Sequence, residues 1–393
     1  MIFKKRKTFR VNGPRGLRFL QNLGNNAWKS YIENRMLTSS IHNDPGASFT
    51  QLKREGDKII KFAEEKGEEK LKDEINWILK LQSTRFGKRY LPQIFNYSFE
   101  PGNVFYEMKY YSFPNLRKII MDDMSSTYFL KKRWEKLLKI FFNVLYKDSN
   151  SAPPGEDFFQ KTHSKKYHSR IEDTLKEAPY FEEILSSPVI EINGQDYINP
   201  TTILKYIEDH QELIERLTPE KVYLSHGDLH CNNILCGISA GQFIFLDCRG
   251  KSPDGSFYFD PAYDLAKLYH DLHSYYSLIE KELFIIHYNK VDKKPTFEYF
   301  FTDQTLLERF NRNYFYVRVY VEKHYKYFDD LHYRTDFNEA LLYLTMLPMH
   351  IRKKNEGLVC FITGVVRLNQ WLRKNHPEVN KMLLEDAVSG VQK

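Results

Sequence analysis

The sequence predicts an α+β protein with a small antiparallel sheet towards its N-terminal end and a larger, mostly helical region after it. Short apolar runs separated by turn residues fill 36–110, and helical patterns dominate 111–393. A chain of 393 residues can bury a substantial core and form two lobes. We therefore predict an N-terminal extension over 1–35, a sheet lobe over 36–110 and a helical lobe over 111–393.

The smaller lobe is predicted from three short runs, one helix and one hairpin. The runs predict antiparallel strands at Met36–Ile41, Phe49–Arg54 and Lys58–Phe62. Leu71, Ile75, Ile78 and Leu79 form one apolar stripe, which predicts an amphipathic helix over 68–81. Alternating apolar residues on either side of the turn at 101–103 predict a hairpin that completes the sheet.

The larger lobe is predicted to be helical apart from two hairpins. Helical patterns cover 130–145, 167–175, 201–217 and most of 280–393. One hairpin signal, with an Asn193-Gly194 turn, lies in an insert over 156–220. The other lies at 224–247, where one apolar run enters a polar loop and a second run leads back.

Composition and charge narrow the class of protein. Hydrophobic residues make up 42% and charged residues 28% of the chain, as in an ordinary soluble enzyme. We expect no transmembrane segment or secretory signal, because the apolar runs are too short and none follows the basic N-terminus. That terminus, Lys4–Lys7, could touch an acidic membrane surface or be a solvated tail. The net charge of +7 suits an anionic nucleotide, whereas no motif indicates nucleic-acid binding and no pattern predicts an oligomeric state.

The four cysteines are too few for a disulfide framework in a chain of this length, which favours a reducing cytoplasm. They are Cys231, Cys236, Cys248 and Cys360. No two of them have the close spacing of structural zinc ligands, so we interpret them as small buried hydrophobic residues and not as a zinc site.

The hairpin at 224–247 carries two carboxylates and an amide in a fixed order. Asp228 and Asn233 lie in its loop, and Asp247 follows its second apolar run. Phosphoryl transfer needs one carboxylate that orients and deprotonates a hydroxyl, and an amide oxygen with a second carboxylate that hold magnesium. A single Asp or Asn is usually a turn residue, but this ordered set between two apolar runs favours catalysis.

Three motifs resemble the aminoglycoside phosphotransferase and choline kinase-like family, whose members are related to protein kinases. His226-Gly-Asp228-Leu-His230 with Asn233 resembles the catalytic loop of the family, and Asp247 stands where the family has its metal-binding Asp. The segment from Asp260 to Ala266 resembles the downstream Asp-Pro-x-x-Asp-Leu-Ala motif. The resemblance covers roughly 36–350 and is strongest over 224–272.

The resemblance implies a two-lobed protein-kinase-like fold that uses ATP and Mg²⁺. His226, Asp228 and Asn233 would be catalytic, and Asn233 with Asp247 would hold the metal. The residues implied to bind nucleotide are Lys61, Glu74, Gly46, Ser48, Glu107 and Met108. In this scheme the turn at Gly46 and Ser48 covers the phosphates, the Lys61–Glu74 pair anchors them, and the hinge at Glu107 and Met108 binds adenine.

Some of these assignments have competitors in the sequence. Lys58 and Lys66 compete with Lys61, and Glu74 also fits a surface carboxylate. Asp260 is predicted to cap a helix, and Asp264 to accept hydrogen bonds from backbone donors near His226. Arg249 departs from the family pattern after the metal-binding Asp. It could meet an anionic substrate or form a structural ion pair.

We expect an ATP-dependent small-molecule kinase that phosphorylates a hydroxyl of a sugar, polyol, amino alcohol or aminoglycoside. The insert at 156–220 would bind the hydroxyl acceptor, although its basic residues also fit a solvated helix face. The segments at 249–250 and 263–268 further resemble kinase-like proteins of bacterial capsule and surface-polysaccharide synthesis. A protein kinase is disfavoured because only twelve residues separate Asp247 from Asp260. A catalytically inactive nucleotide-binding module, a pseudokinase, is the alternative.

Overall fold

The protein is α+β, with an antiparallel sheet in its N-terminal part and helices in most of its C-terminal part. A computed structural model describes residues 50–122, 127–147, 150–253, 255–291 and 294–391. The predicted extension over 1–35, the strand at Met36–Ile41 and the turn residues Gly46 and Ser48 lie outside the described residues.

Four strands form the sheet of the smaller lobe, in the order β1-β2-β4-β3. They are β1 Thr50–Glu55, β2 Lys58–Ala63, β3 Ile94–Glu100 and β4 Asn103–Lys109. Gly56 and Gly102 turn the two hairpins with positive φ angles of +62° and +77°, which glycine adopts at little steric cost. The strands predicted within the described residues are therefore confirmed.

Helix α1, Glu68–Gln82, covers one face of this sheet. Leu71, Ile75 and Ile78 of its predicted stripe are buried, and each such side chain contributes about 1.5–3 kcal/mol by leaving water. A short helix that was not predicted, α2 Arg85–Tyr90, follows; the Thr84 hydroxyl caps it by accepting from the Gly87 backbone N–H.

Helices build most of the larger lobe. They are α3 Leu116–Met121, α4 Thr127–Ile140, α5 Lys165–Glu177, α6 Phe181–Ser186, α7 Pro200–Glu208, α8 Gln211–Leu217, α9 Pro261–Leu272, α10 Tyr276–Glu280, α11 Gln304–His324, α12 Leu331–Thr345, α13 Leu347–His350, α14 Lys354–Asn375 and α15 Pro377–Val391. Helix α12 packs between α9 and α14 and is buried along nearly its whole length. Across the described ranges, no helix has the length and apolar character that crossing a bilayer requires.

Short strands complete the larger lobe. They are β5 Ser151–Ala152, β6 Val189–Ile192, β7 Gln195–Ile198, β8 Val222–Leu224, β9 Ile234–Cys236, β10 Phe243–Phe245 and β11 Tyr258–Phe259. The β6–β7 pair confirms the hairpin predicted at Asn193-Gly194. The hairpin predicted at 224–247 is wrong in its pairing: β10 pairs with β9, which follows the polar loop, while β8, the run before that loop, pairs with β5 and β11. All four cysteines are free and buried.

The prediction of a mostly helical 280–393 segment is wrong at its start. Strands β12 Phe284–Val291 and β13 Lys294–Phe301 form a hairpin, and β13 pairs in parallel with β6. Pro295, Phe297 and Phe301 are buried on one face of β13, and more exposed residues lie between them. This two-residue period is obscured in the sequence by the apolar run at Leu283. The single helical pattern at 201–217 is also two helices, α7 and α8.

Candidate active site

The polar loop after β8 depends on Gly227. Its φ is +76°, and a Cβ added there would lie 2.8 Å from the Arg249 Cβ, so any side chain would be strained and crowded. The Asp264 carboxylate, in the first turn of α9, accepts hydrogen bonds from the backbone N–H groups of His226 at 3.0 Å and Gly227 at 2.7 Å. The predicted support of this loop by Asp264 is therefore confirmed.

Helix α9 is itself fixed at its N-terminus, as predicted. Asp260 caps it by accepting from the Ala262 backbone N–H at 3.0 Å, and Pro261 is its first residue. The other carboxylate oxygen of Asp260 accepts from the Arg334 Nε of α12 at 2.6 Å. The loop therefore rests on a helix that two buried contacts hold in place.

The Asp228 carboxylate projects from this loop beside a lysine of α9. Lys267 Nζ lies 2.7 Å from Asp228 Oδ1, and His230 Nε2 lies 3.9 Å from Oδ2. Burial opposes ionisation, yet Lys267 and His230 hold the pKa of Asp228 well below its usual range. Asp228 is therefore ionised at neutral pH and able to accept a proton from a hydroxyl.

Sequence reasoning missed Lys267. It lies three residues after Asp264, so both side chains leave the same face of α9, Asp264 towards the loop backbone and Lys267 towards Asp228. This helical spacing was a usable signal, because a helix whose Asp264 binds the loop backbone can also bring Lys267 to the Asp228 carboxylate of that loop.

Asn233 closes the loop against Asp228. Its side-chain Nδ2 donates to the Asp228 backbone carbonyl at 2.9 Å, and its backbone carbonyl accepts from the Leu246 backbone N–H at 2.9 Å. The side chain therefore ties Asn233 to the loop of Asp228, and the backbone ties it to the residue before Asp247.

Lys61 is the buried cation of the smaller lobe. Its Nζ lies 2.7 Å from Glu74 Oε2 and 2.6 Å from Asp247 Oδ1. Burial alone would lower the pKa of Lys61, but the carboxylates of Asp247 and Glu74 outweigh burial and raise it. The two lysines that competed with Lys61 in the sequence do not enter this cluster. Lys66 is exposed, and Lys58 makes an exposed 3.4 Å contact with Glu107.

Glu74 is a buried partner, only 2% exposed, which excludes the surface-carboxylate alternative. Besides Lys61, its carboxylate accepts from the Tyr106 hydroxyl at 2.8 Å. Burial raises the pKa of Glu74, so the Lys61 cation is needed to keep the carboxylate ionised.

Asp247 suits a hard metal ion. It has a positive φ of 57°, and half of its side chain is exposed. Although burial opposes it, Lys61 lowers the pKa of Asp247, so the group is a carboxylate at neutral pH. The carboxylate of Asp247 and the amide oxygen of Asn233 are the oxygen ligands that magnesium prefers, and so the donor set fits.

His226 occupies a structural position in the loop. It is fully buried, its Nδ1 accepts from the Asp228 backbone N–H at 3.2 Å, and its ring packs edge-on against Trp77. Burial lowers the pKa of His226 to about 4, so the imidazole is neutral at physiological pH. A ring held in this way orients Asp228 and is shielded from a substrate.

Glu107 and Met108 lie inside β4, paired with β2 on one side and β3 on the other. Their backbone groups therefore face the sheet. The chain leaves the sheet at Tyr110, whose backbone N–H donates to Asp57 at 2.7 Å, and continues without strand pairing at 111–113. This unpaired connection between the lobes offers backbone groups that the strand does not.

No protein-family model matches this sequence, and no curated protein does. Among solved structures, the chain is similar to that of an ADP-bound aminoglycoside phosphotransferase, APH(2'')-Ib, with a TM-score of 0.40 and 11% identity. The likeness covers 81% of this chain and 94% of that one. At this level of similarity the likeness establishes neither a family nor an activity for this chain.

Proposed function

We propose that the protein is an ATP-dependent phosphotransferase that moves the γ-phosphate to a hydroxyl of a small molecule. The observation that carries this proposal is the convergence of three charged groups from distant parts of the chain. Lys61 contacts Asp247 at 2.6 Å although the two residues lie 186 positions apart, and Asp228 is close enough to Asp247 for its charge to raise the pKa of that carboxyl. Such a cluster places a phosphate anchor beside a metal ligand and a proton acceptor.

In the proposed reaction, a hydroxyl oxygen of the acceptor molecule attacks the γ-phosphorus, and the bond from the γ-phosphorus to the β-phosphate oxygen breaks. ADP leaves, and the hydroxyl proton passes to the Asp228 carboxylate. Lys61, which Glu74 holds in place, contacts the nucleotide phosphates. Asn233 and Asp247 would hold Mg²⁺, which neutralises phosphate charge when bound. Positioning and charge neutralisation then supply most of the rate.

We place the adenine contact in the unpaired connection at 111–113 and not at Glu107 and Met108, whose backbone groups face neighbouring strands. Sugars, polyols, amino alcohols and aminoglycosides remain the proposed hydroxyl acceptors. A role in surface-polysaccharide synthesis and a cytoplasmic location rest on the sequence alone.

One observation favours the pseudokinase alternative. Both acidic groups of the reaction already contact lysines, Asp228 through Lys267 and Asp247 through Lys61. A protein that only binds nucleotide could keep these pairs permanently. A kinase must release Asp247 from Lys61 when magnesium and phosphates enter.

The test is phosphate transfer from γ-labelled ATP, with Mg²⁺, to a panel of sugars, sugar phosphates, polyols, amino alcohols and aminoglycosides. Asp228→Asn is the control, because it keeps the shape of the side chain and removes its proton affinity. Transfer or ATP hydrolysis that disappears in this variant supports the proposal. Nucleotide binding without any turnover that depends on Asp228 would favour the pseudokinase.

A further inference from the structure

A surface pocket, open to solvent, lies beside the catalytic loop, between α5, α9 and the segment after Asp247. Phe158 and Phe259 supply apolar wall, while Lys166 and Arg249 supply positive charge. An apolar wall with a few polar groups is the kind of lining that small-molecule sites have.

The two cations of this pocket share one partner, the Tyr263 hydroxyl. Arg249 Nη1 donates to the Tyr263 hydroxyl at 2.6 Å, and Lys166 Nζ donates to the same oxygen at 3.4 Å. Among the described residues, neither cation forms an ion pair with a carboxylate. Other lysines and arginines of the lobe do so, as Arg334 does with Asp260 at 2.6 Å.

The local charge is therefore undercompensated. Although burial opposes it, Arg249, Lys166 and Lys267 lower the pKa of Tyr263 to about 7, so its hydroxyl begins to serve as the missing anion. Burial lowers the pKa of Lys166 to about 8, and Arg249 and Lys267 add to that effect. Crowded cations without a carboxylate are costly, and a bound anion would relieve that cost.

The cation pair lies next to the reacting groups. The Arg249 backbone N–H donates to the His226 carbonyl at 2.9 Å, two residues before Asp228. Tyr263 lies one helical turn before Lys267, whose Nζ is 2.7 Å from Asp228 Oδ1. An anion held by Lys166 and Arg249 therefore positions the rest of its molecule beside the Asp228 carboxylate.

We infer that the hydroxyl acceptor carries its own phosphate or carboxylate, which binds between Lys166 and Arg249 while its hydroxyl faces Asp228. This inference rests on the proposed phosphotransfer, and the anionic group itself is unchanged in the reaction. Amino alcohols and aminoglycosides are disfavoured, since their ammonium groups would meet Lys166, Arg249 and Lys267. Sugar or polyol phosphates and sugar acids fit the charge and the apolar wall.

The anion site is tested first without turnover. Inorganic phosphate is titrated by calorimetry into protein saturated with a non-hydrolysable ATP analogue and Mg²⁺, so that the nucleotide site is already filled. Lys166→Met should weaken phosphate binding about tenfold or more, and Arg249→Gln should do the same. Lys165→Met is the matched control, because Lys165 is the exposed neighbour on α5 and should leave binding unchanged.

The acceptor class is tested with matched pairs that differ in one charged group: glucose against glucose 6-phosphate, glycerol against glycerol 3-phosphate, and glucose against glucosamine. The phosphate should have the higher kcat/KM in the first two pairs, and neutral glucose should in the third. Lys166→Met should raise KM for the phosphates about tenfold while KM for ATP stays constant.

Equal phosphate binding by wild type, Lys166→Met and Arg249→Gln would overturn the inference, as would preference for the neutral alcohol over its phosphate or for glucosamine over glucose. A rise in KM for ATP instead of the acceptor would also overturn it, since the cations would then serve the nucleotide. Phosphate binding that needs Lys166, without ATP turnover that depends on Asp228, would support the anion site while contradicting the kinase.

Discussion

Two charged clusters of the candidate site, one around Lys61 and one around Lys166 and Arg249, are balanced in opposite ways. On the nucleotide side, buried Lys61 contacts the carboxylates of Glu74 and Asp247 at 2.7 and 2.6 Å. On the acceptor side, Lys166 and Arg249 share the Tyr263 hydroxyl. The first group is a completed ion-pair network that needs no ligand to be stable. The second has surplus positive charge, and that difference indicates which side awaits an anion.

The largest expected effect lies outside both clusters, at Asp228. Asp228→Asn should lower kcat by about 10²–10⁴-fold, because it removes the proton acceptor. Binding of ATP and phosphate should change little, since neither cation group is altered. Single-turnover transfer from ATP and calorimetric binding of a non-hydrolysable analogue measure the two quantities separately. A variant with near-normal kcat would show that Asp228 is not the base.

The nucleotide side should respond to the loss of Lys61 mainly in stability. Lys61→Met leaves the buried Glu74 without its cation and should lower the free energy of unfolding by about 3–5 kcal/mol. Lys58→Met removes an exposed contact with Glu107 and a cation–π contact with Phe95, and should cost about 1 kcal/mol or less. Urea denaturation of both variants makes the comparison. Equal losses would mean that the Lys61–Glu74 pair is no more important than a surface contact.

The acceptor side should respond to pH. Tyr263, with its pKa of about 7, gains negative charge as the pH rises, and Lys166, with its pKa of about 8, loses positive charge. Anion affinity should therefore be highest below pH 7 and fall several-fold by about pH 9. Asp228 stays ionised and Arg249 stays cationic over this range.

Sulfate is the suitable probe for this pH series, because it remains a dianion throughout. Calorimetry is again performed with the nucleotide site filled. Tyr263→Phe should remove the part of the decline that begins near pH 7 and keep the later part due to Lys166. A flat profile in the wild type would contradict the charge states assigned to the pocket.

Much of the site followed from the sequence because its residues are close along the chain. Asp228 and Asn233 lie just before β9 and Asp247 lies just after β10, so local patterning and turn chemistry predict their approach. The Lys61–Glu74 contact also followed, because a strand end and the helix after it have few ways to meet. Asp264 was predicted to accept from the loop, and its two backbone bonds confirm this.

The features that sequence reasoning missed depend on tertiary packing. Lys267 reaches Asp228 only because α9 runs beneath the loop, and Lys166 reaches Tyr263 only because α5 packs beside α9. Hairpin β12–β13 was missed because the apolar run at Leu283 obscures its two-residue period, and β13 then joins β6, a strand about a hundred residues earlier in the chain. The contacts of Lys267 and Lys166 join residues that no local pattern links, so the sequence could not separate a solvated basic face from an anion site.

The assignment of Lys61 to the nucleotide and of Lys166 to the acceptor is tested most directly by phosphate transfer, measured with the ATP concentration and the acceptor concentration varied in turn. The measurement compares wild type, Lys61→Arg and Lys166→Met with glucose 6-phosphate as the first acceptor. Lys61→Arg keeps the charge and changes its geometry, so it should raise KM for ATP alone. Lys166→Met should raise KM for the acceptor alone. Variants that shift the same constant, or transfer that persists without Asp228, would contradict the account.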